Sequence, residues 1–361
     1  MSNHLVTINL VVLNGEKYIR HCLDGVLEQT YLKELIEFNI LDNGSSDRTK
    51  EIIKEWAVQN SSKFTKFNLV ELTKNVGVWP GQEELLKHSM GKYVLGLCVD
   101  VILDKDFIKN AVEVMERESK IGALQAKVYK YDLSSLPAYR LTGLPVRIID
   151  TCGFKIFKSR RLINIGHGET DDGQFNEEKE IFGIEGAAPF FRKEAMESCR
   201  ISLPAYRLTS LSATTEIFDH DYFWYGDDFD IAWRMNLFGW KQVFAPTVIA
   251  WHDRQTTKKL RSSFKDFLEI RRAIPLKKRK LEWKNIRFTI IKNDYIINVL
   301  KDLPYILKRE VMMFVYLLIF EPKVFAEIPE FLKILPKIIR KRKEIMKKAV
   351  RTPAEMHKFF Q

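Results

Sequence analysis

The chain has 361 residues, enough for one large domain with an appendage or for two domains, and 46% of them are apolar, enough for a substantial core. Its four cysteines (Cys22, Cys98, Cys152, Cys199) are scattered, with no Cys-x-x-Cys pair, so neither a disulfide scaffold nor a structural zinc site is indicated. The net charge of +11 is unevenly held: residues 256–361 carry 27 Lys+Arg against 11 Asp+Glu, whereas residues 1–255 carry 31 against 36, which predicts an acidic body joined to a basic tail with an anionic partner.

No secretory leader is predicted at residues 1–15, which lack a basic region and a cleavage site. VTINLVVL (6–13) predicts a strand buried on both faces. A helix is expected over 16–29, then a strand in FNILD breaking at Asn43-Gly44, with Asp47 capping a helix to about Val58. KFNLVELT (66–73) predicts a third strand. A helix near 80–90 leads to a fourth, YVLGLCVD (93–100). Strands alternating with helices imply a parallel sheet. A helix over 105–117, a strand over 123–131 and an irregular stretch over 132–180 follow, then IFGIEGAAPFF (181–191) and the strands of QVFAPTVIAWH (241–252). Beyond 256 the pattern is basic, helical and expected to break at Pro304, Pro322, Pro329 and Pro336. Its most apolar run, VMMFVYLLIF (311–320), is too short to span a bilayer.

Strands ending in an acid or Asn mark the ligand edge of a parallel sheet. Here the first ends at Asn14-Gly15, the second at Asp42-Asn43-Gly44 and the fourth at Asp100. Each alone is an ordinary turn; three at successive strand ends point to a nucleotide cleft. Neither GxGxxG nor GxxxxGK[ST] is present, which disfavours dinucleotide oxidoreductases and P-loop NTPases. In FWYGDDFDIAWRMNLFGW (223–240), Asp230 reads as a first-turn acid and Gly239 as a helix stop. Asp227 and Asp228 are adjacent acids behind an aromatic run, a setting that raises a carboxyl pKa toward that of a general base. His252, at the end of a strand, is either a metal ligand beside Asp100 or a surface histidine.

With these motifs in place, the chain resembles bacterial family 2 glycosyltransferases, nearest to their rhamnosyltransferase-like branch. ILDNGSSDRT looks like the family's nucleotide-binding turn, NVGVWPG like its N-x-G-F-x-x-G stretch, and FWYGDDFDIAWRMNLFGWKQVFAPTVIAWH like its YxEDVDLxWRxxxxGW…P…H pattern. The likeness covers about residues 5–255. It implies a GT-A fold: a Rossmann-like nucleotide-binding half and an acceptor half on a mixed central sheet in 1–255, with a helical, basic amphipathic extension in 256–361. It further implies Asp228 as catalytic base, with Asp227 supporting it and Arg234 on the helix behind. Asn14, Asp42, Asn75, Gly77, Asp100 and Gly186 would bind the donor, and Asp100 and His252 would hold Mg²⁺ or Mn²⁺. The donor implied is a nucleotide sugar, dTDP-rhamnose ahead of a UDP-sugar. The acceptor implied is a glycan or lipid-linked, as in cell-surface polysaccharide synthesis. No nucleic-acid partner is implied, and the protein would sit in the cytoplasm, peripheral on the inner face of the membrane.

Two departures stand out. Cys98-Val99-Asp100 replaces the usual Asp-x-Asp or Asn-x-Asp, and a thiol is a poor ligand for a hard cation. His167 stands where the branch often has Arg. Two alternatives remain open: a UDP-hexose or galactofuranose transferase, and a catalytically weak sugar-nucleotide-binding assembly protein.

Overall fold

The first strand already dictates where the core lies, because every residue of VTINLVV is buried. The computed structural model describes residues 4–133, 147–203, 214–254 and 263–361. They pack as two units. Unit 1 comprises Met1–Phe154, Asn164–Glu197 and Trp240–Gln255; unit 2 comprises Lys155–Ile163, Ser198–Gly239 and Thr256–Gln361. The division expected at residue 255 falls outside the described residues; Lys155–Ile163 and Ser198–Gly239 group with the C-terminal helices.

Unit 1 opens with β1 (Val6–Val12), α1 (Ile19–Leu27), β2 (Ile36–Asp42), α2 (Thr49–Asn60), β3 (Lys66–Glu71), α3 (Val78–Leu86) and β4 (Tyr93–Cys98). Then come β5 (Val101–Leu103), α4 (Phe107–Arg117), β6 (Ile121–Lys130) and β7 (Ile149–Thr151). The ribbon of β8 (Phe154–Ile156) with β9 (Leu162–Asn164), most of it in unit 2, follows; unit 1 resumes with β10 (Lys179–Glu180), β11 (Phe190–Arg192) and α5 (Lys193–Ser198). After β12 (Ile201–Leu203), β13 (Thr214–Glu216) and α6 (Asp227–Leu237), the chain returns to unit 1 as β14 (Lys241–His252).

The sheet runs β10-β14-β6-β11-β4-β1-β2-β3. β1, β2, β3 and β4 are mutually parallel, as the alternation predicts. The short β11 enters antiparallel between β4 and β6, so the whole sheet is mixed. Of the apolar IFGIEGAAPFF run, only Phe190–Arg192 pairs as a strand.

One polar row crosses the apolar sheet. Asn9, Asn39 and Asn68 stand side by side on β1, β2 and β3. Asn39 donates to the Asn9 side-chain oxygen (3.0 Å), Asn68 donates to that of Asn39 (2.6 Å), and Asn9 donates to Ser89 (3.1 Å). A one-residue slip would bury these amides without partners, so the row fixes the register.

Unit 2 gathers α7 (Phe264–Ala273), α8 (Leu276–Asn293), α9 (Ile296–Lys301), α10 (Leu303–Phe320), α11 (Ile328–Lys348) and α12 (Pro353–His357). Tyr222, Phe288 and Ile338 form its apolar centre. Buried Arg160 bonds Asp294 (2.7 Å) and Asp302 (2.6 Å), tying the β8–β9 turn to the C-terminal helices. Pro304, Pro322 and Pro329 sit at element starts, as expected. Pro336 instead lies inside α11, which continues through it. Its ring removes the bond to the Leu332 carbonyl, and Leu332 is exposed, where water can serve that carbonyl.

Replacing Asn39 with Ala breaks the row: the Asn9 oxygen keeps only the Ser89 hydroxyl (3.3 Å), and the half-buried Asn68 amide loses its acceptor. Asn39→Ala should lower stability in urea unfolding by about 1–3 kcal/mol; a loss below about 0.5 kcal/mol, the level of an ordinary surface change, would show that the row does not hold the sheet.

Candidate active site

Two groups of the expected residues assemble in unit 1. At the carboxyl ends of β1 and β2, buried Asp42 accepts from the amides of Gly44 (3.1 Å) and Ser45 (2.9 Å) through Oδ1. Its Oδ2 has no hydrogen-bond partner. Asn14, in left-handed backbone (φ 50), accepts from the Ser46 amide (2.8 Å), while its own amide donates to Ser45 (2.9 Å). Asn75 accepts from the Gly77 amide (2.8 Å) and from Asn43 (3.0 Å). Gly44 (φ 87) needs its missing side chain, because a Cβ there would come within 3.1 Å of the Lys74 backbone. Two of the three strand ends that suggested a nucleotide cleft, at Asn14 and Asp42, are thus hydrogen-bonded together with the Asn75 turn, with one carboxylate oxygen left over.

The second group sits where β5 pairs antiparallel with β14, placing His252 opposite Val101. His252 Nε2 lies 3.4 Å from Asp100 Oδ2, and its Nδ1 lies 2.9 Å from Asp150 Oδ2. Burial alone would lower the imidazole pKa; the bonds and charges of Asp100 and Asp150 outweigh it and raise it to about 10. Burial likewise opposes the charge on Asp150, but His167, His252 and Arg254 hold its carboxyl well below the usual range. Arg254 spans Asp150 (2.8 Å) and Glu185 (2.7 Å).

A carboxylate and an imidazole nitrogen side by side, with the imidazole's other nitrogen held by a second carboxylate, fit a divalent cation that takes its remaining ligands from diphosphate and water. Cys98 is not part of that set. Its thiol points at the Gly186 carbonyl (3.5 Å), and burial with nearby Asp100 and Glu185 pushes its pKa well up. Gly186 therefore adjoins the group through its backbone. His167 packs on the Asp150 carbonyl (2.7 Å). Sequence reasoning missed Asp150, Glu185 and Arg254. An acid in the apolar run RIID was the one signal for Asp150.

Unit 2 carries the acid triplet. Gly226 (φ 91) starts α6, and Asp227, Asp228 and Asp230 occupy its first turn. Asp230 is more than helix punctuation: fully buried, it accepts from Arg234 (2.7 Å) and Asn293 (2.8 Å) and pairs with Lys292 (2.9 Å). Lys292 also bonds Asp219, and Lys341 joins Glu216 (2.5 Å), Asp219 (2.5 Å) and Asp221 (2.7 Å). Among the described residues, those last three are the one acidic group spaced to hold a metal ion, and the Lys341 ammonium fills it. Arg234 is fully buried, its guanidinium shared between Asp230 and the Cys199 carbonyl (2.5 Å), so it braces α6 from behind. Asp227 is 2% exposed, and neither carboxylate oxygen has a hydrogen-bond partner. Burial first, then Asp228, Asp219 and Asp230, push its pKa well up. The raised pKa expected of an acid behind the aromatic run thus belongs to Asp227. Asp228 is half-buried and accepts from the Phe229 amide (2.8 Å).

The family model described as glycosyl transferase family 2 matches residues 7–198. The chain belongs to that family. A curated relative from Methanococcus voltae, dolichyl N-acetyl-alpha-D-glucosaminyl phosphate 3-beta-D-2,3-diacetamido-2,3-dideoxy-beta-D-glucuronosyltransferase, is 30% identical over 117 residues, 32% of this chain and 36% of that protein. Poly-beta-1,6-N-acetyl-D-glucosamine synthase of Staphylococcus epidermidis is 26% identical over 181 residues, 46% of this chain and 42% of that protein. The matches thus span well under half of either relative. Among solved structures, GalNAc-T7 with UDP, GalNAc and Mn²⁺ aligns with a TM-score of 0.59 at 11% identity, covering 98% of this chain and 56% of that one. Mannosyltransferase PcManGT from Pyrobaculum calidifontis, with GDP-Man and Mn²⁺, aligns at 0.52 and 15% identity, covering 96% and 86%. The fold is the GT-A fold that the resemblance implied.

The buried ion cluster makes stability pH-dependent in a defined direction. Burial opposes charge on Asp219, but Lys292 and Lys341 depress its pKa far below that of a free carboxylate. A depressed acid stabilises the fold above its unfolded pKa, about 4, and that contribution drains away as pH falls further. Lys341→Met removes a cation shared by three acids, of which Asp219 keeps Lys292 and Asp221 keeps Lys337, and should cost about 3–5 kcal/mol at pH 7. The penalty should shrink as pH falls toward 4 and the stranded acids protonate. A penalty that stays constant between pH 7 and 4 in thermal melts would contradict this charge balance.

Proposed function

We propose that this chain is an inverting glycosyltransferase that moves a sugar from a nucleoside-diphosphate donor to a hydroxyl of a glycan or lipid-linked acceptor. One observation carries the assignment of the base. Of the three acids opening α6, Asp227 is buried with a raised pKa and Asp230 is consumed by ion pairs, which leaves Asp228 as the accessible one. Asp228 would take the proton of the acceptor hydroxyl. The acceptor oxygen would bond to the anomeric carbon from the face opposite the diphosphate. The bond from that carbon to the diphosphate oxygen would break, inverting the centre. Asp227, adjacent and buried, would support the base, and Arg234 would hold the helix. In unit 1, Asp42, Asn14, Asn75 and Gly77 would receive the nucleoside, with the unpartnered Asp42 Oδ2 as an acceptor for a donor hydroxyl or amide. Gly186 would line the donor side. Asp100 and His252 would hold Mg²⁺ or Mn²⁺, which when bound supplies positive charge for the leaving diphosphate.

L-rhamnose from a dTDP donor is the first reading of the sugar, supported by the resemblance of the motifs. A UDP-hexose, in particular an N-acetylhexosamine, is the second, supported by the acetamido sugars in the names of both curated relatives.

Peripheral attachment to the inner face of an anionic membrane completes the proposal. α10 exposes apolar residues along its length, Met312 at 64% and Ile319 at 63% among them; exposed Lys308 lies in its first half, and exposed Lys301 and Lys323 flank it. Among the described residues, no helix is long and apolar enough to cross a membrane. An apolar helix between cations suits the interface of an anionic bilayer.

Nucleotide release from a panel of dTDP-rhamnose, UDP-N-acetylglucosamine and UDP-galactofuranose, each with Mn²⁺, tests the chemistry. Asp228→Asn should lower turnover by about 10²–10⁴-fold and leave nucleotide binding by calorimetry unchanged. Turnover within about tenfold of wild type would sink the base assignment. For the membrane, Met312→Glu with Ile319→Glu should weaken co-sedimentation with phosphatidylserine-containing vesicles by about 10- to 100-fold. Equal binding of variant and wild type would refute α10 as the docking element.

A further inference from the structure

Just before α6 the backbone adopts a conformation that its residues resist. Phe223 (φ 62), Tyr225 (φ 78) and Gly226 (φ 91) all lie in the left-handed region, and only the last is glycine. Left-handed backbone at a bulky aromatic residue is a true outlier and persists only where the surroundings impose it. Core burial does not impose it here, since Trp224 and Tyr225 are exposed and Phe223 is only half-buried.

What imposes it is α8. Fully buried Asn285 donates its side-chain amide to three carbonyls of the turn: Tyr222 (3.2 Å), Trp224 (3.0 Å) and Tyr225 (2.7 Å). Three acceptors around one nitrogen settle which end of the amide faces the turn. They converge there only while the turn holds this shape. Nearby on α8, Lys277 sits over the Phe223 ring (4.5 Å), Lys278 sits over Tyr225 (4.2 Å), and Thr289 bonds the Tyr222 hydroxyl (2.9 Å). A Cβ on Gly226 would touch that of Asn285 at 3.4 Å, so the turn runs close against the helix.

We propose that Asn285 is a positioning residue for transfer: by clamping the strained 222–226 turn it fixes the first turn of α6 and, with it, Asp228. This rests on the reading of Asp228 as the base. Without the clamp, Phe223 and Tyr225 relax to ordinary backbone, and the α6 start loses its single orientation. The aromatic turn is therefore built by a helix that lies outside the family-matched region of the chain.

Hydrogen exchange on the full chain tests the clamp without needing a substrate. In Asn285→Ala, amides 222–229 should exchange about tenfold faster or more, with α11 unchanged. kcat for the donor accepted in the panel should fall by about tenfold or more, with KM for that donor held. Adding Tyr225→Gly, which removes the backbone penalty, should recover a large part of both losses; a merely structural role for Asn285 in packing α8 would not be rescued that way. If Asn285→Ala does not fold, Asn285→Ser, which keeps one donor, should show the same pattern more weakly. Unchanged exchange at 222–229, or a loosened turn with unchanged kcat, overturns the proposal. Asp228→Asn separates the two claims: it should leave exchange at 222–226 untouched, so retained turnover there refutes the base while the clamp stands or falls on exchange alone.

Discussion

The orientation of α6 depends on how unit 2 neutralises charge it has buried. Asp219 and Asp230 have no exposure to water worth the name, and carboxylates so placed survive ionised only beside cations. Lys292 bridges the two, and Lys341 joins Asp219 to Glu216 and Asp221. These lysines come from α8 and α11, whereas Asp230 belongs to α6 and Asp219 to the approach to it. The helix that carries the acid triplet is therefore held by ion pairs to the C-terminal helices, with Arg234 completing the pairing from within α6. Asp227, the one acid of the cluster without a cation of its own, has the raised pKa that such an environment predicts.

Unit 1 solves a different problem with different means. Its sheet is apolar and parallel over β1 to β4, and an apolar parallel sheet specifies register weakly. The Asn9–Asn39–Asn68 row supplies the missing specificity in the middle of the strands. At their ends the turn network leaves Asp42 Oδ2 unspent. At the β5–β14 pairing, Asp150 fixes the His252 ring so that its second nitrogen is turned to Asp100. The departure at Cys98 costs this arrangement little, because a neutral thiol facing the Gly186 carbonyl is accommodated as a small apolar group.

Much of this was legible in the chain. β1, β2 and β4 announce themselves as apolar runs that stop at Asn14, Asp42 and Asp100, and α6 as acids before an apolar period that ends at Gly239. The parts that were not legible are long-range. β11 enters the sheet antiparallel although only three of its residues pair, too few for a periodic signal. Lys292 and Lys341 lie in strongly basic helices, where a cation reads as part of a solvated face, and only the fold shows them fully buried. Asp230 looked like a helix-start acid for a related reason: apart from Arg234 one turn on, its partners Lys292 and Asn293 lie on a helix far along the chain. Asn285 has no sequence signature, since a lone asparagine in a helix is ordinary until three carbonyls are found around it.

The C-terminal region thus has two faces, of which its composition suggested only the outward, basic one. Outward, α10 exposes apolar residues; inward, the region's cations and Asn285 hold α6. The inward role decides how α6 is held. Native-state hydrogen exchange on the intact chain, followed in low denaturant, measures it most directly. If the buried ion pairs hold the helix, the slow amides of α6, α8 and α11 should open in one step with one free energy. If α8 and α11 open at a distinctly lower free energy while α6 stays protected, the C-terminal helices are an appendage and the account is wrong.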